Sequence, residues 1–118
     1  MPSFKKGAVV RVPFPYTDKN TRQHRPALVV SGGTVGEDGA LIWVVMITSA
    51  DNRAWPGDVP LGAAYGDAGL PAPSVIRPCK IATIEARMAE PIGAIRPASL
   101  RKVEAEIARL LGPAAGGR

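Results

Sequence analysis

The chain has 118 residues, of which 46% are hydrophobic and 21% are charged, a composition and length that predict a single folded domain over residues 1–118. Fifteen Lys and Arg residues against ten Asp and Glu residues give a formal net charge of +5, which favours a polyanionic partner such as nucleic acid. One histidine, His24, and one cysteine, Cys79, exclude an internal disulfide, a structural zinc site and any acid–base scheme that needs two histidines of one chain.

The first half of the chain predicts three β-strands. Residues 8–12, 27–31 and 41–48 are runs of hydrophobic and β-branched residues, each bounded by turn-forming residues. The third run is apolar along almost its whole length, which indicates a central strand. A turn at residues 37–39 is expected to join the second and third strands into a hairpin.

Residues 50–73 are rich in Gly, Pro and Asp, and they predict a long irregular segment with one short strand near Val59. Three more strands are predicted: residues 74–77 and 80–84, which Pro78 interrupts, and residues 92–95. No helical crossover separates any two strands, as a parallel sheet would require, so we expect an antiparallel sheet.

The C-terminal region predicts one α-helix over residues 99–111. Its apolar residues recur at helical spacing: Leu100, Val103, Ile107, Leu110 and Leu111. Ser99 is the expected N-cap, Gly112 and Pro113 are expected to end the helix, and residues 112–118 predict a frayed tail. A single amphipathic helix on a small curved sheet predicts a mainly β fold, a small antiparallel β-barrel with a C-terminal α-helix.

The same residue counts bear on cofactors and on location. With no cluster of metal-ligand residues in the sequence, we expect no metal and no other cofactor. A lone cysteine fits a reducing compartment. The longest apolar run, residues 40–47, is far shorter than the roughly 18 residues of a membrane-spanning helix. We therefore expect a cytoplasmic protein with no signal peptide and no membrane partner.

Three segments resemble the MazF/PemK-like toxins of type II toxin–antitoxin systems. They are residues 7–15 (GAVVRVPFP), 25–31 (RPALVVS) and 47–49 (ITS), in the order in which the family has them. The resemblance implies an SH3-like barrel, a homodimer and metal-independent, sequence-selective cleavage of single-stranded RNA, often mRNA. It also implies attack by the 2′-OH of the RNA, inhibition of translation, and neutralisation by a cognate antitoxin.

The resemblance assigns catalysis to Arg25 and Thr48, which match the family's arginine after the first loop and its strand-end threonine. A guanidinium suits charge that develops on phosphate, because it donates a planar pair of hydrogen bonds to phosphate oxygens. A hydroxyl suits positioning or oxyanion stabilisation. Some members instead use an arginine and an aspartate two residues apart on a later strand. That arginine matches Arg77, but Cys79 stands in place of the aspartate.

Further residues are candidates for catalysis or phosphate binding: Arg77, His24 and Ser49. Arg77 fits either a phosphate contact or a structural ion pair, and the imidazole of His24 fits either proton transfer or a solvated loop. Candidates for RNA binding through charge, hydrogen bonds or stacking are Tyr16, Lys19, Asn20, Arg22 and Trp55. Cys79 is expected to be a small buried residue, and Trp43 to lie in the core or in a dimer interface.

Two other functions remain open at this point. Small barrels also bind RNA through basic loops and aromatic platforms without cleaving it. A related branch of toxins poisons gyrase, and its members resemble one another in a C-terminal tail that contains tryptophan. This chain ends GPAAGGR instead. RNA cleavage in the presence of EDTA would separate an endoribonuclease from a non-catalytic RNA-binding module.

Overall fold

The computed structural model describes residues 4–15 and 22–113. These residues form six β-strands and one α-helix: β1 (Ala8–Pro15), β2 (Arg22–Val29), β3 (Leu41–Ser49), β4 (Val59–Pro60), β5 (Ser74–Glu85), β6 (Glu90–Ala94) and α1 (Pro97–Leu111). Short 3-10 helices lie at Glu37–Gly39, Gly62–Tyr65 and Ala86–Met88.

The strands form one antiparallel sheet with the spatial order β4-β5-β3-β2-β1-β6. β3 lies inside this sheet between β2 and β5, as its apolar sequence predicts. The sheet curls into a half-barrel with α1 as the single helix at the C-terminal end of the described chain. The predicted fold class, a mainly β antiparallel architecture with a C-terminal helix, is confirmed.

Alternation along the strands builds two apolar clusters, because successive strand residues point to opposite faces of a sheet. The first cluster includes Val10, Val12, Ala27, Ile42, Val44 and Met46. The second includes Val9, Leu28, Val45, Ile47 and Ile76, together with Val103 of α1. The helix therefore covers the face of the sheet that carries the second cluster.

Pro78 does not divide β5 into two strands, so the predicted interruption is wrong. Met46 of β3 pairs with Arg77 and Val45 pairs with Ile81, so residues 78–80 form a bulge outside the ladder. A proline has no N–H to donate to a ladder and is tolerated where the pairing is already interrupted. The strand consequently runs from Ser74 to Glu85 without a break.

β1 and β2 pair with each other, and each extends beyond the predicted strand at one end, β1 to Pro15 and β2 from Arg22. Pro13 pairs with His24 and Pro15 pairs with Arg22, so both strands continue beyond the apolar runs that predicted them. The fixed φ of proline is compatible with extended backbone, which is why Pro13 and Pro15 do not end β1. His24 therefore lies in a strand rather than in a loop.

The helix α1 begins at Pro97 rather than after Ser99, so the predicted N-cap is wrong. Arg96 occupies the N-cap position and makes no side-chain cap. Proline is favoured in the first helical turn because its missing N–H would be unpaired there in any case. Gly112, with φ of 78°, ends the helix as predicted. No helix within the described residues is long and apolar enough to cross a membrane.

Candidate active site

A cleft of about 180 Å³ lies at the end of β3. Its wall contains Arg25 and Pro26 of β2, residues 47–49 of β3, and residues 70–74, which lead into β5. Two of the three segments that carried the family resemblance, residues 25–31 and 47–49, thus meet at one cleft, although residues 32–46 separate them in sequence.

Antiparallel pairing brings Arg25 and Thr48 together. Ala27 of β2 pairs with Met46 of β3, and the same register continued by two residues sets Arg25 opposite Thr48. The guanidinium Nη2 of Arg25 donates a hydrogen bond to Oγ1 of Thr48 across 3.4 Å. Thr48 is buried, with 5% of its surface exposed, whereas Arg25 is half-buried. The two residues assigned by resemblance therefore form one constellation on the cleft wall.

A third residue, Asn52, completes this constellation, and the sequence had not indicated it. Its amide Nδ2 donates a hydrogen bond of 2.6 Å to Oγ1 of Thr48. A turn directly after β3 positions it: the Asn52 N–H bonds to the Ser49 carbonyl at 3.1 Å, and the Asp51 N–H bonds to the Ser49 hydroxyl at 3.1 Å. Ser49 thus lines the cleft and also holds the turn that returns Asn52 to the strand end.

Arg77, by contrast, forms a buried ion pair. Its Nε and Nη2 donate to the two carboxylate oxygens of Asp58 at 3.0 and 2.9 Å, and both side chains are more than nine-tenths buried. Nη2 also donates to the carbonyl of Arg53 at 2.9 Å. Of the two roles that fit Arg77 by sequence, the structure shows the ion pair, and the carboxylate comes from Asp58 rather than from position 79.

The hydrogen bonds to Asp58 set its protonation state. Burial on its own would raise the pKa of Asp58, but the hydrogen bonds from Arg77 and from the Trp55 amide, with the Arg77 charge, outweigh burial and hold the pKa below its usual value. The carboxylate is therefore ionised at neutral pH, where it forms the ion pair with the guanidinium of Arg77.

Trp55 belongs to the same buried cluster. The guanidinium carbon of Arg77 lies 4.2 Å from the centre of the indole ring, and Nζ of Lys80 lies 5.4 Å from it. Such cation–π contacts orient the ring. The Trp55 N–H also bonds to Asp58 at 2.9 Å, and the Asp58 N–H bonds back to the Trp55 carbonyl at 3.1 Å. These hydrogen bonds and ring contacts hold residues 53–58 against Arg77.

The remaining candidates lie apart from the cleft or outside the described residues. His24 is exposed on β2, and alternation along the strand points it away from the face that Arg25 occupies. Tyr16, Lys19 and Asn20 lie outside the described residues, and of Arg22 only the backbone is described. Within residues 4–15 and 22–113, no three His, Cys, Asp or Glu side chains gather in a way that could hold a metal ion.

The burial predicted for Cys79 is wrong. Cys79 is exposed, because it lies in the bulge of β5 rather than in a paired, core-facing position. Trp43 is 48% exposed, so of its two predicted places the core is wrong and the dimer interface stays a prediction. Trp43 borders a cavity together with Ile81 of β5 and Leu111 at the end of α1.

The chain matches the family profile described as PemK-like, MazF-like toxin of type II toxin-antitoxin system over residues 5–111. No curated protein sequence matches it. Among solved structures, MazF of Deinococcus radiodurans superposes with a TM-score of 0.74 and 22% identity, covering 96% of this chain and 100% of that one.

Two mycobacterial structures are also similar. An endoribonuclease superposes with a TM-score of 0.71 and 23% identity, covering 95% of this chain and 94% of that one. An endoribonuclease in complex with its cognate antitoxin gives 0.68 and 22%, with coverage of 93% and 96%. At these identities, the structural likeness establishes a shared fold.

Proposed function

Because the chain belongs to the family of PemK-like, MazF-like toxins of type II toxin–antitoxin systems, we propose that it is a sequence-selective endoribonuclease. It cleaves single-stranded RNA, chiefly mRNA, and so inhibits translation. The observation that carries the proposal is the Arg25–Thr48 pair, a guanidinium and a hydroxyl in hydrogen-bond contact on the wall of a cleft. The net charge of +5 supports a polyanionic substrate.

The proposed reaction uses the RNA's own 2′-OH as the nucleophile. The 2′-oxygen forms a bond to the adjacent phosphorus as its proton passes to water, and the bond to the 5′-oxygen breaks as that oxygen takes a proton from water. The products carry a 2′,3′-cyclic phosphate and a 5′-OH. Arg25 neutralises the charge that develops on the non-bridging oxygens, and Thr48 donates a hydrogen bond to one of them. No step of this reaction requires a metal ion.

The test is incubation of the purified protein with a long single-stranded RNA in EDTA. Discrete fragments with 5′-OH ends, mapped by primer extension and by a kinase that labels only such ends, are the expected result. A mobility shift without fragments would indicate an RNA-binding module instead. Cleavage that EDTA abolishes and magnesium restores, or fragments with 5′-phosphate ends, would contradict the reaction proposed.

A homodimer forms the second part of the proposal, supported by an exposed apolar surface made of Trp43, Ile81, Leu110 and Leu111. These side chains are 48%, 54%, 47% and 80% exposed. Trp43, Ile81 and Leu111 border a cavity of about 390 Å³, and Leu110 borders a second cavity of about 220 Å³ that Ile81 and Leu111 also line. An apolar surface suits contact with its own copy, because no like charges meet across a two-fold axis. Sedimentation of Ile81→Glu should show a monomer, and Met88→Glu, at an exposed residue outside this surface, should remain dimeric.

The third part is an antitoxin partner with an acidic segment that is disordered until it binds. The Arg25 side chain in the cleft would attract carboxylates as it attracts phosphates, so this segment and RNA should exclude one another. The solved mycobacterial relative in complex with its cognate antitoxin supports such a partner. A stable ternary complex with undiminished cleavage would show that inhibition does not act at the cleft.

A further inference from the structure

We infer that Asn52 is a positioning residue of the proposed cleavage: it orients the Thr48 hydroxyl so that the hydroxyl donates a hydrogen bond to the RNA phosphate. This inference rests on the proposed function and adds to it the residue that determines what Thr48 does. Its starting point is the short hydrogen bond from Asn52 Nδ2 to Thr48 Oγ1, at 2.6 Å.

The number of hydrogen bonds that a hydroxyl can make determines where the proton of Thr48 points. A threonine hydroxyl has two lone pairs and one proton. Asn52 and Arg25 both point N–H donors at Oγ1, at 2.6 and 3.4 Å, and each takes a lone pair. The proton is then directed away from both donors. Because Thr48 lines the cleft, an acceptor bound there, such as a phosphate oxygen, can receive it.

The two hydrogen bonds that Thr48 accepts bear on whether it acts as a base or as a hydrogen-bond donor. With one lone pair engaged by Asn52 at 2.6 Å and the other facing Arg25 at 3.4 Å, Oγ1 of Thr48 is poorly placed to accept the proton of the 2′-OH, which favours a donor role for Thr48 over a base. It acts as a fixed donor whose direction is set before the substrate binds. Donors that are preorganised in this way stabilise developing charge most effectively, because they need no reorientation during the reaction.

The buried cluster around Arg77 holds the loop that presents Asn52. Arg77 donates to the carbonyl of Arg53, the residue that directly follows Asn52. Asp58 in turn anchors Arg77 and the Trp55 N–H. On its other side, Asn52 is held by the Ser49 turn. Both flanks of Asn52 are therefore fixed, which allows a single side-chain amide to orient Thr48.

The first experiment measures kcat and KM for cleavage of a defined single-stranded RNA by Asn52→Ala. Loss of the orienting hydrogen bond should lower kcat about tenfold while KM stays close to the wild-type value. The melting temperature should not change, because Asn52 is exposed. Asp51→Ala, an exposed neighbour on the same turn, is the matched control and should keep kcat within about twofold.

The second experiment repeats Asn52→Ala in a Thr48→Val background, which removes the hydroxyl and keeps the shape. If Asn52 acts through Thr48, the second substitution should lower kcat no further. Asn52→Asp should be slower than Asn52→Ala, since a carboxylate accepts the Thr48 proton and turns it away from the phosphate.

Three results would overturn the inference. One is wild-type kcat in Asn52→Ala, and another is an equal loss from Asn52→Ala with and without the Thr48 hydroxyl. Both leave the proposed function intact if Arg25→Ala and Thr48→Val cleave slowly. The third is wild-type cleavage by Arg25→Ala and Thr48→Val, which would remove the proposed function itself.

Discussion

Arg25 and Arg77 lie on β2 and β5, the two strands that flank β3, but their side chains have different surroundings. Arg77 pairs in register with Met46, and Arg25 faces Thr48 two residues further along β3. The guanidinium of Arg77 is buried against Asp58, whereas that of Arg25 is half-buried and lines the cleft. The same residue type thus holds a loop through a buried ion pair at one position and lines a cleft at the other, where we propose that it contacts the RNA phosphate.

The largest effect that would test this contrast is on stability. Asp58→Ala leaves the buried Arg77 guanidinium without its carboxylate and should lower the free energy of unfolding by about 3–5 kcal/mol. Asp67→Ala is the control, because it breaks an ion pair with Arg96 in which both side chains are 63% exposed. That loss should be below about 1 kcal/mol. Equal losses in urea denaturation would show that the Arg77 cluster is not a structural anchor.

The next largest expected effect is a slower cleavage rate when Arg25 is substituted. Arg25→Lys keeps the charge but loses the planar pair of donors, so cleavage should be about tenfold slower. The melting temperature should stay at the wild-type value, because Arg25 makes no part of the buried cluster around Asp58. Single-turnover cleavage and thermal denaturation of the same preparation measure both quantities. A wild-type rate would mean that charge alone suffices at this position.

Acid should weaken the Arg77 cluster gradually. The pKa of Asp58 is held below its ordinary value of 3.8, so the unfolded chain binds a proton at a higher pH than the folded chain does. The stabilisation from Asp58 is therefore fully present above that value and is lost as pH falls through the folded-state pKa. The stability difference between wild type and Asp58→Asn should shrink below pH 3.8. Urea denaturation across this range measures it, and a difference that stays constant would contradict the pKa shift.

The smallest expected effect is at Cys79. Its thiol is exposed in the bulge of β5, two residues after the paired residue Arg77 and outside the ladder. Cys79→Ser should leave the cleavage rate within about twofold of wild type and the melting temperature unchanged. A near-complete loss of cleavage at an unchanged melting temperature would give the thiol a functional role.

Local patterns predicted most of the fold because they depend on neighbours along the chain. Alternating and apolar runs located the strands, and the spacing of Leu100, Val103 and Ile107 located the helix. The helix start was a local error, because Pro97 begins the helix before the predicted N-cap Ser99. The errors in β5 arose where distant pairing decides the outcome. Pro78 is accommodated by a bulge that only the register with β3 creates. Cys79 is exposed for the same reason.

In the candidate site, too, some residues were predicted from the sequence and others depend on the fold. Arg25 and Thr48 stood in motifs that resemble a family, and antiparallel pairing of their strands brings them together. Asn52 and Asp58 fall in a segment whose composition predicted only irregular structure. Ser49 followed by Asp51 and Asn52 is a turn-forming pattern, but its direction back onto Thr48 depends on the fold. Asp58 meets Arg77 across 19 positions of sequence that no local pattern links.

The most direct test of the account is the single-turnover cleavage rate of Arg25→Ala in EDTA, measured on protein whose melting temperature is known. We expect the rate to fall about 100-fold or more, because a charge-stabilising donor is lost. We expect the melting temperature to match the wild type, because Arg77 and not Arg25 forms the buried ion pair with Asp58. Wild-type cleavage by Arg25→Ala, or a loss of cleavage that follows a fall in melting temperature, would contradict the account.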